Sequence, residues 1–244
     1  MAIFHFFCGQ EYMNNQQKQN GFIPPHVGAG RPSLLDTLAH SALRRAVCAV
    51  SRQSGRIYCI DATAGNGHDT CFLAGLGDAL REDVRVLACD VQEQALANTA
   101  ERLKQCGLEA ELVLCGHEKI LEYLPQEILL AGAVFNLGYL PGKERKENFV
   151  ATKAETSLEA LEKICTRLAP QGCISVHCYT GHRGGLEEYR AVSGFVSTLE
   201  PKFWRVLCVS DMNREHHLEY LFVLEKLQIR KRGKHDQSSC KKFI

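Results

Sequence analysis

The sequence predicts an α/β fold: a seven-stranded, mostly parallel sheet with helices on both faces, closed by a C-terminal antiparallel hairpin. Three observations carry that expectation. Short apolar runs alternate with helix-length stretches from residue 34 onward. The strand candidates are continuously apolar rather than alternating, as strands covered on both faces must be. The last two strand candidates have no helix between them, and such a pair closes as a hairpin.

The elements follow in order. Residues 1–30 show no periodicity and carry Pro24, Pro25, Gly28 and Gly30, so they read as a flexible leader. A start at Met13 is the alternative. A helix fits Leu34 to Val50, with Leu35, Leu38, Ala42, Ala46 and Val50 on one face and Ser33 as its cap. Arg56–Asp61 is a strand, Asp69–Leu80 a helix and Val84–Asp90 a strand. Gln92–Cys106 is a helix that Gly107 stops. Glu111–Cys115 and Ala131–Asn136 are strands. Thr156–Leu168 is a helix ended by Pro170 and Gly172. Cys173–Tyr179 is a strand and Leu186–Leu199 a helix. Trp204–Ser210 and Leu218–Leu227 form the closing pair. One domain thus covers 31–227, with a disordered basic tail at 228–244.

Composition narrows the class. Of 244 residues, 45% are hydrophobic and 23% charged, which is ordinary globular composition. No apolar run reaches the roughly 20 residues that span a bilayer. The start of the chain lacks the basic lead of a signal peptide, and its first arginine is Arg31, unlike a transit peptide. A cytoplasmic protein with no membrane association is expected. The 12 cysteines include no C-x-x-C pair, and Cys59, Cys89, Cys115, Cys173, Cys178 and Cys208 lie in apolar runs. They read as free thiols in a reducing compartment, with no metal site expected. Net charge is only +1, so a nucleic-acid partner would need a local basic patch or a homodimer to hold phosphates. Arg44, Arg45, Lys143, Arg145, Lys146 and Arg183 are candidates for that patch.

Two loops carry chemistry. In the first, Asp61 ends a strand and Gly65-Asn66-Gly67-His68-Asp69-Thr70 turns into a helix. Glycines there admit positive φ and close ligand approach, and the helix start offers unpaired N–H groups. The third glycine of a dinucleotide loop is missing, because Thr70 stands there. That favours S-adenosylmethionine over a nicotinamide dinucleotide. Asp90 ends the next strand, where a carboxylate can accept from ribose hydroxyls, with Gln92 beside it. His117 and Glu118 end the third strand and could edge an adenine. A plain tight turn at the glycines and a helix cap at Asp90 are the alternatives.

The second loop is Asn136-Leu137-Gly138-Tyr139-Leu140-Pro141-Gly142. If its strand neighbours the glycine strand across the switch point, the two loops face each other. The Asn136 side-chain oxygen and the Leu137 carbonyl could then accept from an amine and aim its lone pair at a methyl donor. Tyr139 could stack on a planar base, and Pro141 and Gly142 would fix the loop. His182 is a candidate base, against the reading of a surface histidine. A strand-ending turn without chemistry is the alternative for the whole loop.

These motifs together, with Tyr179-Thr180-Gly181-His182-Arg183-Gly184-Gly185, resemble the bacterial tRNA 5-aminomethyl-2-thiouridine methyltransferases, a family long labelled rRNA methylases. The resemblance runs from about Ala39 to Leu227. It implies the Rossmann-like class I methyltransferase fold and S-adenosylmethionine as donor. It also implies, as acceptor, the primary amine of 5-aminomethyl-2-thiouridine at the tRNA wobble position. Under it Asn136 and Tyr139 are the catalytic pair, and Tyr139 shapes the approach of the amine. Leu137, Gly138, Pro141, Gly142 and His182 hold the substrate. Asp61, Gly65, Asn66, Gly67, His68, Asp69, Thr70, Asp90, Gln92, His117 and Glu118 hold the cofactor. The leader and the basic tail are extra to the family pattern, and Asp211–His217 keeps Asn213 but changes its neighbours.

Overall fold

The structure is a computed structural model that describes residues 33–52, 56–139, 150–213 and 219–228. The leader, the tail beyond Gln228, and Leu140, Pro141, Gly142, Lys143, Arg145 and Lys146 lie outside the described residues.

Helix α1 (Leu34–Ser51) opens with a capping box. The Ser33 hydroxyl accepts from the Asp36 N–H at 3.0 Å, and the Asp36 carboxylate accepts from the Ser33 N–H at 3.1 Å. Its buried stripe is Leu35, Ala39, Leu43, Ala46, Val47 and Val50. That corrects the expected face. Leu38 is 39% exposed, because the stripe climbs the i, i+4, i+8 row from Leu35.

The sheet contains β1 (Arg56–Asp61), β2 (Asp83–Asp90), β3 (Glu111–Leu114), β4 (Leu130–Leu137), β5 (Leu168–Tyr179), β6 (Trp204–Val209) and β7 (Glu219–Lys226). Helices α2 (His68–Leu80), α3 (Glu93–Cys106), α4 (Ala154–Arg167) and α5 (Gly185–Thr198) connect them. The strand order is β3-β2-β1-β4-β5-β7-β6. As expected, β7 alone runs antiparallel, pairing with β5 and β6. Chain order reverses between β1 and β4, which are parallel neighbours, so the two loops do meet at the switch point.

Two further differences have local causes. A 3-10 helix, His117–Tyr123, follows β3 where only a loop is expected. Strand β5 begins at Leu168, so Pro170 and Gly172 fall inside it, on either side of Gln171, whose φ of +69° interrupts the extended chain. The pairing with β4 shifts register between Leu130 and Gly132, and that irregularity absorbs them.

The pleat sends alternate side chains into two cores. Ile57 and Cys59 pack with Leu43, Val47, Leu73 and Val134 beneath α1 and α2. Ile60 packs with Leu87, Phe135, Leu161, Ile164 and Val192 beneath α4 and α5. Each fully buried Leu, Ile or Phe contributes about 1.5–3 kcal/mol. The ten described cysteines are free. Burial pushes the Cys59 and Cys173 thiols up to about 12, as suits small core hydrophobes. No described helix is long and apolar enough to cross a membrane.

Candidate active site

Strand β1 delivers Asp61 to the carboxyl edge of the sheet. Asp61 is fully buried. Its carboxylate accepts from the Thr63 N–H at 3.1 Å and from the Thr70 hydroxyl at 2.6 Å. One side chain thus ties strand, loop and helix α2. Burial first, and then nearby Asp69, raises its pKa well above the usual carboxylate range. The loop then crosses to β2. The Ala64 N–H donates to the Cys89 carbonyl at 2.9 Å, and the Gly65 N–H donates to Asp90 at 3.0 Å. The Gln92 N–H donates to the other Asp90 oxygen at 2.9 Å.

Gly67 has φ +77°, and a Cβ there would stand 2.8 Å from the Thr99 Cα. Both the turn and the close approach of α3 therefore demand glycine. Helix α2 starts without a side-chain cap, so its first N–H groups open onto the same rim. A carboxylate offers about four acceptor positions. Asp90 spends two on the loop and leaves others open to further donors. The donor set fits a nucleoside cofactor with a small charged tail.

Strand β4 delivers Asn136 directly opposite. Its backbone N–H donates to the Thr63 hydroxyl at 2.7 Å, which joins the two loops. Its side-chain Nδ2 donates to Asp69 Oδ2 at 2.6 Å. A carboxylate only accepts, so this contact fixes which end of the amide faces Asp69. The acceptor Oδ1 is left over, and among the described residues it accepts no hydrogen bond. The other Asp69 oxygen lies 2.5 Å from His40 Nε2, on α1. The His40 ring stacks on Phe72 at 3.8 Å and 4°.

Across the β4–β5 ladder Asn136 pairs with His177. His177 is 3% exposed. Its Nδ1 is 3.2 Å from the Tyr179 hydroxyl and 3.7 Å from Asp36, and its Nε2 is 3.5 Å from Glu219. The His177 contact holds the Asp36 pKa down to about 2. Burial, followed by the charges of Asp36, Glu219 and Asp69, pushes the Tyr179 phenol far up. Three carboxylates thus surround this corner, and their field favours a cation.

The segment after Asn136 is braced from behind. The Gly138 carbonyl accepts from the Thr152 N–H at 2.9 Å, and Tyr139 forms a β-bridge with Ala151. Glu188, 1% exposed on α5, accepts from the Thr152 hydroxyl at 2.7 Å and the Ser157 hydroxyl at 2.5 Å. Burial raises its pKa. The Tyr139 ring meets His182 edge-on at 5.5 Å and 85°. A Cβ on Gly185 would stand 2.2 Å from the Tyr179 carbonyl, so the loop carrying His182 needs glycine there.

The structure therefore gathers Gly65, Gly67, Asp90 and Gln92 on one side and Asn136, Gly138, Tyr139 and His182 on the other. Leu137 is buried in the core beneath α4 and α5. His68 is exposed at the start of α2, and Glu118 is half-buried beside Gly116. Four expected cofactor contacts change role. Asp61 and Thr70 are buried and brace the loop from behind. Asn66 turns outward, its side chain accepting from Asn98 at 2.9 Å and its carbonyl from Arg102 at 2.6 Å. Asp69 belongs to the acceptor side. His117 also departs from its expected place at the base edge. It is 8% exposed, lies 3.3 Å from the Thr156 and Ser157 hydroxyls, and burial lowers its pKa. His40, Thr63, His177, Asp36 and Glu188 were not expected. Thr63 stood inside the glycine loop and was legible as a strand-end hydroxyl. The others sit on separate elements, with no spacing to mark them. Of the basic candidates, Arg45 is 3.2 Å from Glu225, while Arg44 and Arg183 are exposed.

Comparisons with known proteins bear on the family and the fold. Residues 86–225 match the family model rRNA_methylase, described as "Putative rRNA methylase". A curated relative from Arabidopsis thaliana, the chloroplastic tRNA (mnm(5)s(2)U34)-methyltransferase, is 38% identical over 165 residues. That match covers 64% of this chain and 58% of the relative, so the chain spans well under two thirds of the relative's length. The crystal structure of a "putative methyltransferase" from Streptococcus mutans in complex with SAH is 33% identical, with TM-score 0.67. It is matched over 81% of this chain and 100% of its own. The crystal structure of a "putative rRNA-methylase" from Clostridium thermocellum is 29% identical, with TM-score 0.68 and the same coverage.

Proposed function

This chain belongs to the rRNA methylase family, with the class I methyltransferase fold, and on that footing we propose that it is an S-adenosylmethionine-dependent tRNA N-methyltransferase. The acceptor is the aminomethyl amine of 5-aminomethyl-2-thiouridine at the wobble position, and the product is 5-methylaminomethyl-2-thiouridine. The observation that carries the reading is the Asn136 amide. Its donor end is tied to Asp69, and its acceptor end is left at the carboxyl edge opposite the Gly65–Gly67 loop. The Arabidopsis relative's description and the SAH in the Streptococcus mutans structure support it.

S-adenosylmethionine would supply an electrophilic methyl group; an amine that arrives as its ammonium ion first gives up a proton to water, its freed lone pair then bonds to the methyl carbon as the sulfur–carbon bond breaks, and the methylated nitrogen leaves as an ammonium. The chain's own residues do the rest. Asp90, Gly65 and the α2 start hold the cofactor. Asn136 Oδ1 accepts an N–H of the amine and orients its lone pair, so positioning is the main catalytic contribution. Asp36, Glu219 and Asp69 attract the amine as its ammonium ion. Tyr139 and His182 wall the approach.

The remaining assignments follow from this reading. The domain is 31–227, and tRNA is the partner. The location is the cytoplasm, and a homodimer is one way for a near-neutral chain to supply enough phosphate contacts. The family description favours one second reading, an rRNA amine as acceptor. Labelled methyl transfer to tRNA lacking the terminal methyl tests the first. No transfer to that tRNA, with transfer to rRNA, would establish the second.

A further inference from the structure

We infer that His40 is a positioning residue for methyl transfer, acting through Asp69 to present the acceptor end of the Asn136 amide to the amine. The inference rests on the amine-methylation reading above, but His40 and Asp69 lie outside the matched 86–225 segment.

An asparagine amide has two ends of nearly equal shape and opposite polarity. Presented the wrong way, it offers N–H groups to the amine's own N–H groups. The choice is made by Asp69, whose Oδ2 is 2.6 Å from Asn136 Nδ2. That carboxylate is itself on the first turn of α2 and has two oxygens that can trade places. His40 removes that freedom, with Nε2 2.5 Å from Oδ1. Asp69 only accepts, so His40 Nε2 carries a hydrogen. The imidazole cannot swing, because it stacks flat on Phe72, one turn along α2 from Asp69. The side chains of His40 and Asp69 are 26% and 20% exposed, a position at the rim where an acceptor would cover them. The result is a chain from α1 through α2 to β4, ordered donor, acceptor, donor, and ending on a lone acceptor.

The geometry predicts which replacement works. In His40→Gln the amide N–H₂ reaches about as far as Nε2 and can still donate to Asp69. In His40→Ala nothing donates. In Asp69→Asn the side chain can turn either end to Asn136, and the selection is lost.

The test uses full-length protein with two readouts. The first is the pair of Asn136 side-chain amide proton signals in a ¹⁵N-correlated NMR spectrum, with and without S-adenosylhomocysteine. One proton should be shifted strongly downfield by Asp69 in the wild type and in His40→Gln. It should lose that shift in Asp69→Asn, and broaden or lose it in His40→Ala. The second is single-turnover methylation of aminomethyl-thiouridine tRNA. His40→Ala should lower the rate about 10-fold and Asp69→Asn about 100-fold, the scale expected for small misplacement of a reacting group. His40→Gln should recover most of the rate, and S-adenosylhomocysteine affinity should stay within about twofold in all three. Wild-type Asn136 signals in His40→Ala would overturn the inference, whatever the substrate. So would equal losses in His40→Ala and His40→Gln. Failure of the wild type to methylate this tRNA would instead count against the proposed substrate, and the amide signals would still decide the role of His40.

Discussion

The two loops at the switch point are built in opposite ways. The cofactor loop closes on itself. Asp61 binds Thr63 and Thr70, and Asp90 binds Gly65 and Gln92, so donors and acceptors are neighbours in the chain or on adjacent strands. The acceptor loop is held from a distance. Asn136 reaches Thr63 and Asp69, Asp69 reaches His40, and Thr152 behind Gly138 leans on Glu188. The first loop takes its shape from its own short-range contacts. The second keeps an acceptor unspent. Under the proposed function, binding falls to a local motif and selectivity to a network that spans the fold.

The largest expected effect breaks the second loop alone. Asn136→Ala should lower methyl transfer by about 100-fold or more, measured at saturating cofactor, with S-adenosylhomocysteine affinity unchanged by calorimetry. Breaking the first loop should do the reverse. Asp90→Ala frees the Gly65 and Gln92 N–H groups and removes the ribose acceptor. Cofactor affinity should fall about 10- to 100-fold, an equilibrium change of about 1.4–2.7 kcal/mol. Gly67→Ala strains a left-handed residue and meets Thr99. It should cost about 1–3 kcal/mol in chemical denaturation and weaken cofactor binding with it. Thr152→Val removes the hydroxyl bond to Glu188 while leaving the backbone bond to Gly138. It should raise the KM for tRNA a few-fold and leave cofactor affinity alone.

The last effect concerns pH. Burial raises the Asp61 pKa from 3.8 to about 7. Its folded form therefore holds a proton that the unfolded chain gives up. The stability it contributes is full below the unfolded value and is lost as pH rises through about 7. Asp61→Asn keeps the site uncharged throughout. The difference in melting temperature, variant minus wild type, should grow between pH 4 and pH 8. A constant difference would show that Asp61 is ionised throughout that range.

Legibility in the sequence follows the same division. Continuous apolar runs gave the sheet and its closing hairpin, and order alone placed Asn136 beside the glycine strand. Gly107 and Ser33 marked helix ends correctly, since capping is decided within a few residues. The start of β5 was misplaced because Pro170 reads locally as a stop, while the irregular pairing with β4 lets the strand begin earlier. At the site, Gly67 and Asp90 were readable as motif residues. His40, 29 positions from Asp69, was not, because helix α1 and helix α2 meet only in the folded molecule. In sequence, the motif that contains Asp69 points it toward a cofactor, and His117 follows a strand end. Packing turned the first toward Asn136 and the second inward.

The central claim is that Asn136 aims a tRNA aminomethyl amine at the methyl donor. It is tested most directly by incubating tRNA bearing 5-aminomethyl-2-thiouridine with methyl-labelled S-adenosylmethionine, then digesting to nucleosides. Wild-type protein should place the label in 5-methylaminomethyl-2-thiouridine, and Asn136→Ala, still binding cofactor, should leave the aminomethyl nucleoside unconverted. Label in any other nucleoside, or equal conversion by the two proteins, would contradict the account.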